Sequence, residues 1–368
     1  MNKSKKVLIT GHSGYIGSVM TPHLLAAGYD VTGLDTGYFS ECTLVPDSHP
    51  APAIRKDIRD LTPKDLERFD AVIHLAALSN DPIGNLNDSW TEDINFHASV
   101  KLAELAKAAG VSRFLFSSSC IMYGASNAEV VTEESPLDPK TEYARSKVKA
   151  ELAIAKLAAP GFSPIFLRNG TIYGVSPRMR FDTVFNDLLG SAATTGKVIV
   201  YSDGKPWRPV IHVQDVSRMF QAALEAPGEK IHNQAFNAGS NSLNHQIIDL
   251  ANIAVQTVPG CKLEVIVRPG ADQRTYKADF GKFARTFPDF EFKWSVRTGA
   301  VELYEAFQRA GLTQADFVDK RFTRLKWLRH LLETGVLDNE LRWSRSQRET
   351  KGSLNDGRKR EIRMTNDE

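Results

Sequence analysis

Apolar positions fall into two rhythms along this chain. Short, nearly continuous apolar runs occur at Lys6–Thr10, Asp30–Asp35, Ala71–Ala77, Arg113–Ser117 and Pro164–Arg168. Between them lie stretches whose apolar residues recur at helical spacing, Gly17–Ala27, Asn95–Ala109 and Glu142–Leu157. The runs predict strands and the stretches predict helices. Strands without polar alternation are apolar on both faces, which predicts a parallel sheet covered by helices on each side. After Gly174 the rhythm loosens, and Pro177, Pro206, Pro209 and Pro269 punctuate shorter elements. Val213–Leu224 reads as a helix that returns to the first domain, and 300–343 is helical in character.

The predicted organisation is therefore a nucleotide-binding type of domain over 1–175, rejoined by 209–240. A smaller C-terminal, substrate-binding lobe is built from 176–208 and 241–343. The polar, charge-mixed stretch 344–368 is expected to be a disordered tail. With 368 residues, 42% of them hydrophobic, there is ample material for this core. A net charge of +2 and no basic block before residue 344 argue against a nucleic-acid partner. No apolar stretch reaches the length of a membrane span, and the apolar run Val7–Ile9 is too short for a signal peptide. Cys42, Cys120 and Cys261 form no CxxC pair, so neither a disulfide framework nor a metal site is expected, and a reducing, cytoplasmic setting is the simplest reading.

The first candidate chemistry is T-G-H-S-G-Y-I-G, which follows a predicted strand and opens a predicted helix. Gly11 permits the tight turn, Gly14 lets backbone N–H groups approach a diphosphate, and Gly17 lets the helix pack closely on the sheet, with Tyr15 and Ile16 carried in the same loop. The class is thus a Rossmann-type, doubly wound α/β fold. Asp35 ends the next strand, where a carboxylate accepts from ribose hydroxyls and repels a 2′-phosphate, so NAD is favoured over NADP. Asp57 and Ile58 follow the next apolar stretch and read either as an adenine-side contact or as a surface turn.

The second is Tyr143–Lys147, Y-A-R-S-K. Residues four apart share a helix face, so the ammonium lies beside the phenol. Free tyrosine, with a pKa of about 10, is a poor base at neutral pH, and a neighbouring cation lowers that value. Ser117, Ser118 and Ser119 stand at a predicted strand end, where active groups of such sheets gather, and one of their hydroxyls can donate to a substrate oxygen.

Taken in order, TGHSGYIG, GLD, KDIRD, VIHLAA, FSSSCIMYG, YARSK, LRNGTIYG, WRPVIHVQD and RPGADQRTY make the chain resemble the extended short-chain dehydrogenase/reductases that modify nucleotide sugars, the NAD-dependent epimerase/dehydratase family, over about residues 6–276. The resemblance implies Ser119, Tyr143 and Lys147 as a catalytic triad. It implies His74, Ala76 and Ala77 along the cofactor, and Asn95 on the helix before the serine strand. Arg208 and Arg268 are implied on the substrate diphosphate, a role that suits the guanidinium fork. It also implies a nucleotide-sugar substrate and a homodimer formed through helices that include 95–109 and 142–157.

Two departures matter. Dehydratases of this kind place an Asp–Glu pair just after the catalytic hydroxyl residue, and here Cys120 and Ile121 stand there. Isoleucine transfers no proton, so a 4,6-dehydratase is disfavoured, while Cys120 is either a buried small hydrophobe or an acid/base group. Thr171 stands where many relatives carry an asparagine near the substrate. Arg178 and Arg180 add charge at the pocket edge, for a phosphate, an acidic sugar or solvent. The expectation is a nucleotide-sugar epimerase acting at C4 through a keto sugar, the alternative being a net oxidoreductase on a 4-keto sugar or small alcohol.

Overall fold

The computed structural model describes residues 5–46, 51–79, 87–124, 130–268 and 275–344. Its strands are β1 Lys6–Thr10, β2 Asp30–Asp35, β3 Ala53–Arg55, β4 Ala71–His74, β5 Arg113–Ser119, β6 Ser163–Asn169, β7 Thr171–Tyr173, β8 Lys197–Val200, β9 Trp207–His212, β10 Gln234–Ala238, β11 Asn244–Gln246 and β12 Lys262–Val265. Seven of them form a single parallel sheet in the order β3-β2-β1-β4-β5-β6-β10. The main helices are α1 Gly17–Ala26, α2 Ala98–Ala108, α3 Glu142–Ala155, α4 Val184–Thr195, α5 Val213–Glu225, α6 Ile247–Thr257, α7 Val296–Arg309 and α8 Arg324–Glu333.

The missing alternation in the strands has its cause here. Val7, Ile9, Ile73, Leu115 and Ile165 point to one face, where Met20 and Leu24 of α1 and Met219 and Phe220 of α5 cover them. Leu8, Leu34, Val72, Phe114 and Phe116 point to the other, under Leu102 of α2, Ile154 of α3 and Trp327 and Leu328 of α8. Each such side chain, withdrawn fully from water, contributes roughly 1.5–3 kcal/mol. A second core gathers Phe181, Phe185, Leu189, Leu250 and Leu303 between α4, α6 and α7. Two small sheets, β11-β9-β7 and β12-β8, flank it.

The chain moves outward from β1 to β2 and β3, then returns to place β4 on the other side of β1. That reversal opens a crevice at the carboxyl ends of β1 and β4. The strand expected over Ala71–Ala77 ends at His74, which frees Ala76 and Ala77 to line the crevice. The helix expected from Asn95 begins earlier, at Asp88, and passes through wide π-type turns at Glu92–His97 before α2. Of the helical region expected over 300–343, α7 and α8 are helical, whereas residues after Gly335 form a folded-back strap closed by a bridge between Leu337 and Trp343. The tail expected to be disordered lies outside the described residues beyond Ser344. Among the described residues, no helix is long and apolar enough to cross a membrane.

Candidate active site

The crevice widens into a cavity of about 710 Å³. Its floor is the glycine loop. Gly11 has φ +74°, and a Cβ there would stand 2.7 Å from the Ala76 nitrogen. A Cβ on Gly17 would stand 2.3 Å from the Gly11 carbonyl oxygen. Side chains are thus excluded where β1 turns into α1, and bare backbone and the amino end of α1 border the cavity with Gly14, Tyr15 and Ile16. The Tyr15 hydroxyl donates to the Gly174 carbonyl at 2.7 Å, which ties the loop to the chain after β7.

Asp35 lines the same cavity from the end of β2. Its Oδ1 accepts from the Gly37 N–H at 2.7 Å and its Oδ2 from the Ser13 N–H at 3.3 Å, so lone pairs are left for a ligand. Asp57 and Ile58 also border the cavity. Asp57 is more than a turn residue. It pairs with Arg59 at 2.7 Å and with Arg342 at 3.2 Å. Burial alone would raise its pKa, but hydrogen bonds from Arg59 hold it below the usual carboxylate value. A backbone turn that admits no Cβ at Gly11 or Gly17, a helix amino end and one carboxylate at the end of β2 fit a dinucleotide.

Opposite stands the serine strand. Successive residues of β5 face opposite ways. The Ser118 hydroxyl accordingly leaves the cavity and donates to the buried Glu151 at 2.6 Å. All three serines border the cavity, but the Ser118 hydroxyl is turned to Glu151, and the Ser119 Oγ accepts from the Ile121 N–H at 3.3 Å. α3 is capped by Thr141, whose Oγ1 accepts from the Ala144 N–H at 3.2 Å. Its first turns then bring Tyr143 and Lys147 to the cavity wall. The Lys147 Nζ lies 5.8 Å from the Tyr143 ring centroid and donates to the Ser117 carbonyl at 2.8 Å. Burial pushes the Lys147 pKa down to about 7, with Glu151 acting the other way. Asn95 joins the two walls, because its Oδ1 accepts from the Leu78 N–H at 2.8 Å and its Nδ2 donates to the Ser146 Oγ at 3.3 Å.

Thr171 and Arg208 reach the cavity from β7 and β9. Arg268 does not border it. That guanidinium is exposed and stacks on Tyr201 at 3.8 Å, and the 269–274 part of the RPGADQRTY motif lies outside the described residues. His74 turns into the core. Its Nδ1 meets Thr10 Oγ1 at 2.6 Å and its Nε2 meets Ser99 Oγ at 2.8 Å, while burial, then Lys147, pull its pKa down to about 3. Cys120 is fully buried and gives its thiol to the Arg168 carbonyl at 3.0 Å, and burial raises its pKa. The acid/base reading of that thiol is therefore set aside, and Ile121 fills the place beside Ser119.

Arg178 and Arg180 are buried, which removes the solvated reading. Arg180 pairs with Asp182 at 2.7 Å and donates to the Ser79 hydroxyl at 2.9 Å. Sequence reasoning missed Asp182, Asp187 and Arg324, all of which line the cavity. Asp187 lies in the first turn of α4, and burial, then Asp182, push its carboxyl up to about 6. The alternation of R-x-R-x-D at 178–182 was a signal that could have found Asp182, whereas nothing around Arg324 marks it.

Residues 7–239 match the NAD dependent epimerase/dehydratase family. The chain belongs to that family. This member is 30% identical over 330 residues to UDP-glucose 4-epimerase 4 of Oryza sativa subsp. japonica, covering 82% of this chain and 88% of the relative. It is 29% identical to the UDP-glucose 4-epimerase of Corynebacterium glutamicum over 64% of this chain and 75% of the relative. Among solved structures, MoeE5 in complex with UDP-glucuronic acid and NAD superposes with a TM-score of 0.72 and 26% identity, covering 83% of this chain and 99% of that one. TunA, an NAD-dependent NDP-hexosamine 5,6-dehydratase, superposes with a TM-score of 0.74 at 24% identity, which speaks for the fold alone. The enzyme's cofactor is NAD, and its family acts on nucleotide sugars.

Proposed function

We propose that the enzyme is a nucleotide-sugar epimerase that inverts C4 through a transient keto sugar. The observation that carries this reading is the Lys147 ammonium fixed at the Ser117 carbonyl beside Tyr143, in one cavity with the glycine loop. Two further features support it: the residues after Ser119 are a buried thiol and an isoleucine rather than carboxylates, and the UDP-glucose 4-epimerases are relatives at 29–30% identity.

In this reading Gly11, Gly14, Tyr15, Ile16 and Gly17 hold the NAD diphosphate, and Asp35 accepts from the adenosine ribose. Asp57 and Ile58 border the adenine, with Ala76 and Ala77 beneath the rest of the cofactor. NAD supplies a reversible hydride acceptor. The Tyr143 oxygen takes the proton from the substrate hydroxyl and later returns it, with the Ser119 hydroxyl donating to the same oxygen. Lys147, close to the ring, favours the tyrosinate. Thr171 and Arg208 hold the diphosphate end of the sugar nucleotide. Arg268 is carried on resemblance alone, as is a homodimer through α2 and α3, where Leu152 is 56% exposed.

The test is proton NMR of UDP-glucose, UDP-galactose and their uronates, incubated with the purified enzyme and no added cofactor. Interconversion of C4 epimers is expected. Stoichiometric consumption of added NADH would make the enzyme a net oxidoreductase. A product that has lost water would move it to the dehydratases, with Asp187 as the carboxyl to examine.

A further inference from the structure

The folded-back strap, taken together with α8 that leads into it, reaches the cofactor side of the cavity from beyond the stretch that matches the family. Trp327 Nε1 donates to the Tyr38 carbonyl at 2.7 Å and Trp343 Nε1 to the Thr36 carbonyl at 2.8 Å, both in the loop that follows Asp35. The Tyr38 hydroxyl in turn donates to the Leu341 carbonyl. At the head of this strap, Arg324 is 3% exposed and lines the cavity. Its Nη2 donates to the Arg178 carbonyl at 2.7 Å, and its guanidinium lies 4.5 Å from the centre of the Phe39 ring. Its Nη1 is buried with no hydrogen-bond partner among the described residues. An unpartnered N–H on a buried cation is costly, and an anion is the natural group to satisfy it.

The neighbouring chain relates Arg324 to the glycine loop. The chain just before Arg178 is tied to the glycine loop, since the Ser176 hydroxyl donates to the Tyr15 carbonyl at 2.7 Å and lies 3.0 Å from the Ser18 hydroxyl at the start of α1. Arg324 thus joins the Phe39 ring in the loop after β2 to the Arg178 carbonyl, two residues along the chain from that tie to the glycine loop. Arg208 and Thr171 enter from β9 and β7.

We propose that Arg324 grips the diphosphate of NAD, and that the strap from α8 to Ser344 is a clasp that keeps the cofactor from leaving. This rests on the reading above that the glycine loop holds that diphosphate. An enzyme that must return its hydride to the same sugar gains from such retention.

The test compares full-length wild type with Arg324→Met and Arg324→Lys. NAD affinity is measured by calorimetry on stripped protein, NAD retained through purification is measured by chromatography after denaturation, and UDP affinity is measured on NAD-loaded protein. Arg324→Met is expected to weaken NAD binding roughly ten- to thirty-fold and to reduce the thermal shift that NAD induces. Arg324→Lys should recover part of both, and UDP affinity should stay within about two-fold. Burial, then Arg180, hold the Arg324 pKa down to about 10, and the melting temperature of each variant without NAD checks that it folds. Unchanged NAD affinity in a folded Arg324→Met protein overturns the proposal. A loss that falls on UDP instead overturns it in favour of the substrate diphosphate. A wild type that binds no NAD removes the reading of the glycine loop itself, a result distinct from either.

Discussion

Lys147 offers the sharpest test of the site because its burial has a calculable consequence. Burial lowers its pKa from the ordinary 10.5 to about 7. Below pH 7 the side chain carries its proton in both folded and unfolded chains, and the full cost of burying the ammonium is present. Between pH 7 and 10.5 the unfolded chain holds a proton that the folded one has lost, so stability rises with pH, by about 1.4 kcal/mol per unit. Over the whole window this amounts to about 5 kcal/mol. Lys147→Met removes that titration and loses the bond to the Ser117 carbonyl, worth about 1 kcal/mol. The variant is therefore expected to be more stable than wild type by about 4 kcal/mol at pH 6, and the gap should close as the pH approaches 10. Urea unfolding of both proteins, stripped of NAD, at pH 6, 7.5 and 9 gives the difference directly, and groups that titrate alike in both cancel. Equal m values are required for the subtraction to hold. A difference that does not change with pH, or a wild type that is the more stable at pH 6, would refute the claim that Lys147 is a desolvated cation poised near neutrality.

Three further outcomes are expected. Tyr143→Phe should abolish turnover while NAD affinity stays within a few-fold, and normal activity in that variant would remove Tyr143 from the chemistry. Asp35→Ala should relax the preference for NAD over NADP, measured as the ratio of the two dissociation constants, since the carboxylate that repels a 2′-phosphate is gone; an unchanged ratio means the ribose is held elsewhere. Cys120→Ala should keep turnover within about two-fold and lower stability by roughly 1–2 kcal/mol, since only a buried packing contact and a weak thiol bond are lost, whereas loss of turnover in a folded protein would return the thiol to the mechanism.

Much of the candidate site is legible in the sequence alone. Glycine spacing after a strand is a local pattern, because turn, close approach and helix packing all occur within a few residues of Gly11–Gly17. Tyr143 and Lys147 were legible for the same reason, as a helix fixes the face shared by residues four apart. Choosing among Ser117, Ser118 and Ser119 required the sheet. Strand alternation says that one of the three differs from its neighbours, but only the packing of α3 on β5 puts Glu151 under the Ser118 hydroxyl. His74 and Cys120 were ambiguous in sequence because burial decides the protonation of both, and burial is a sum over distant neighbours.

What the chain's own pattern determined is local in origin: the parallel α/β class, the glycine loop, the carboxylate at the end of β2 and the Tyr143–Lys147 pair. What tertiary structure alone decided is which charges meet. Arg180, Asp182, Asp187 and Arg324 line one cavity although Arg324 is far along the chain from the others, and Asp57 is claimed by Arg342 from the strap. Periodicity carries no information about such meetings. Electrostatic interactions depend on distance in space and on exclusion of water, and both are set only when the C-terminal segment folds back over the loop after β2.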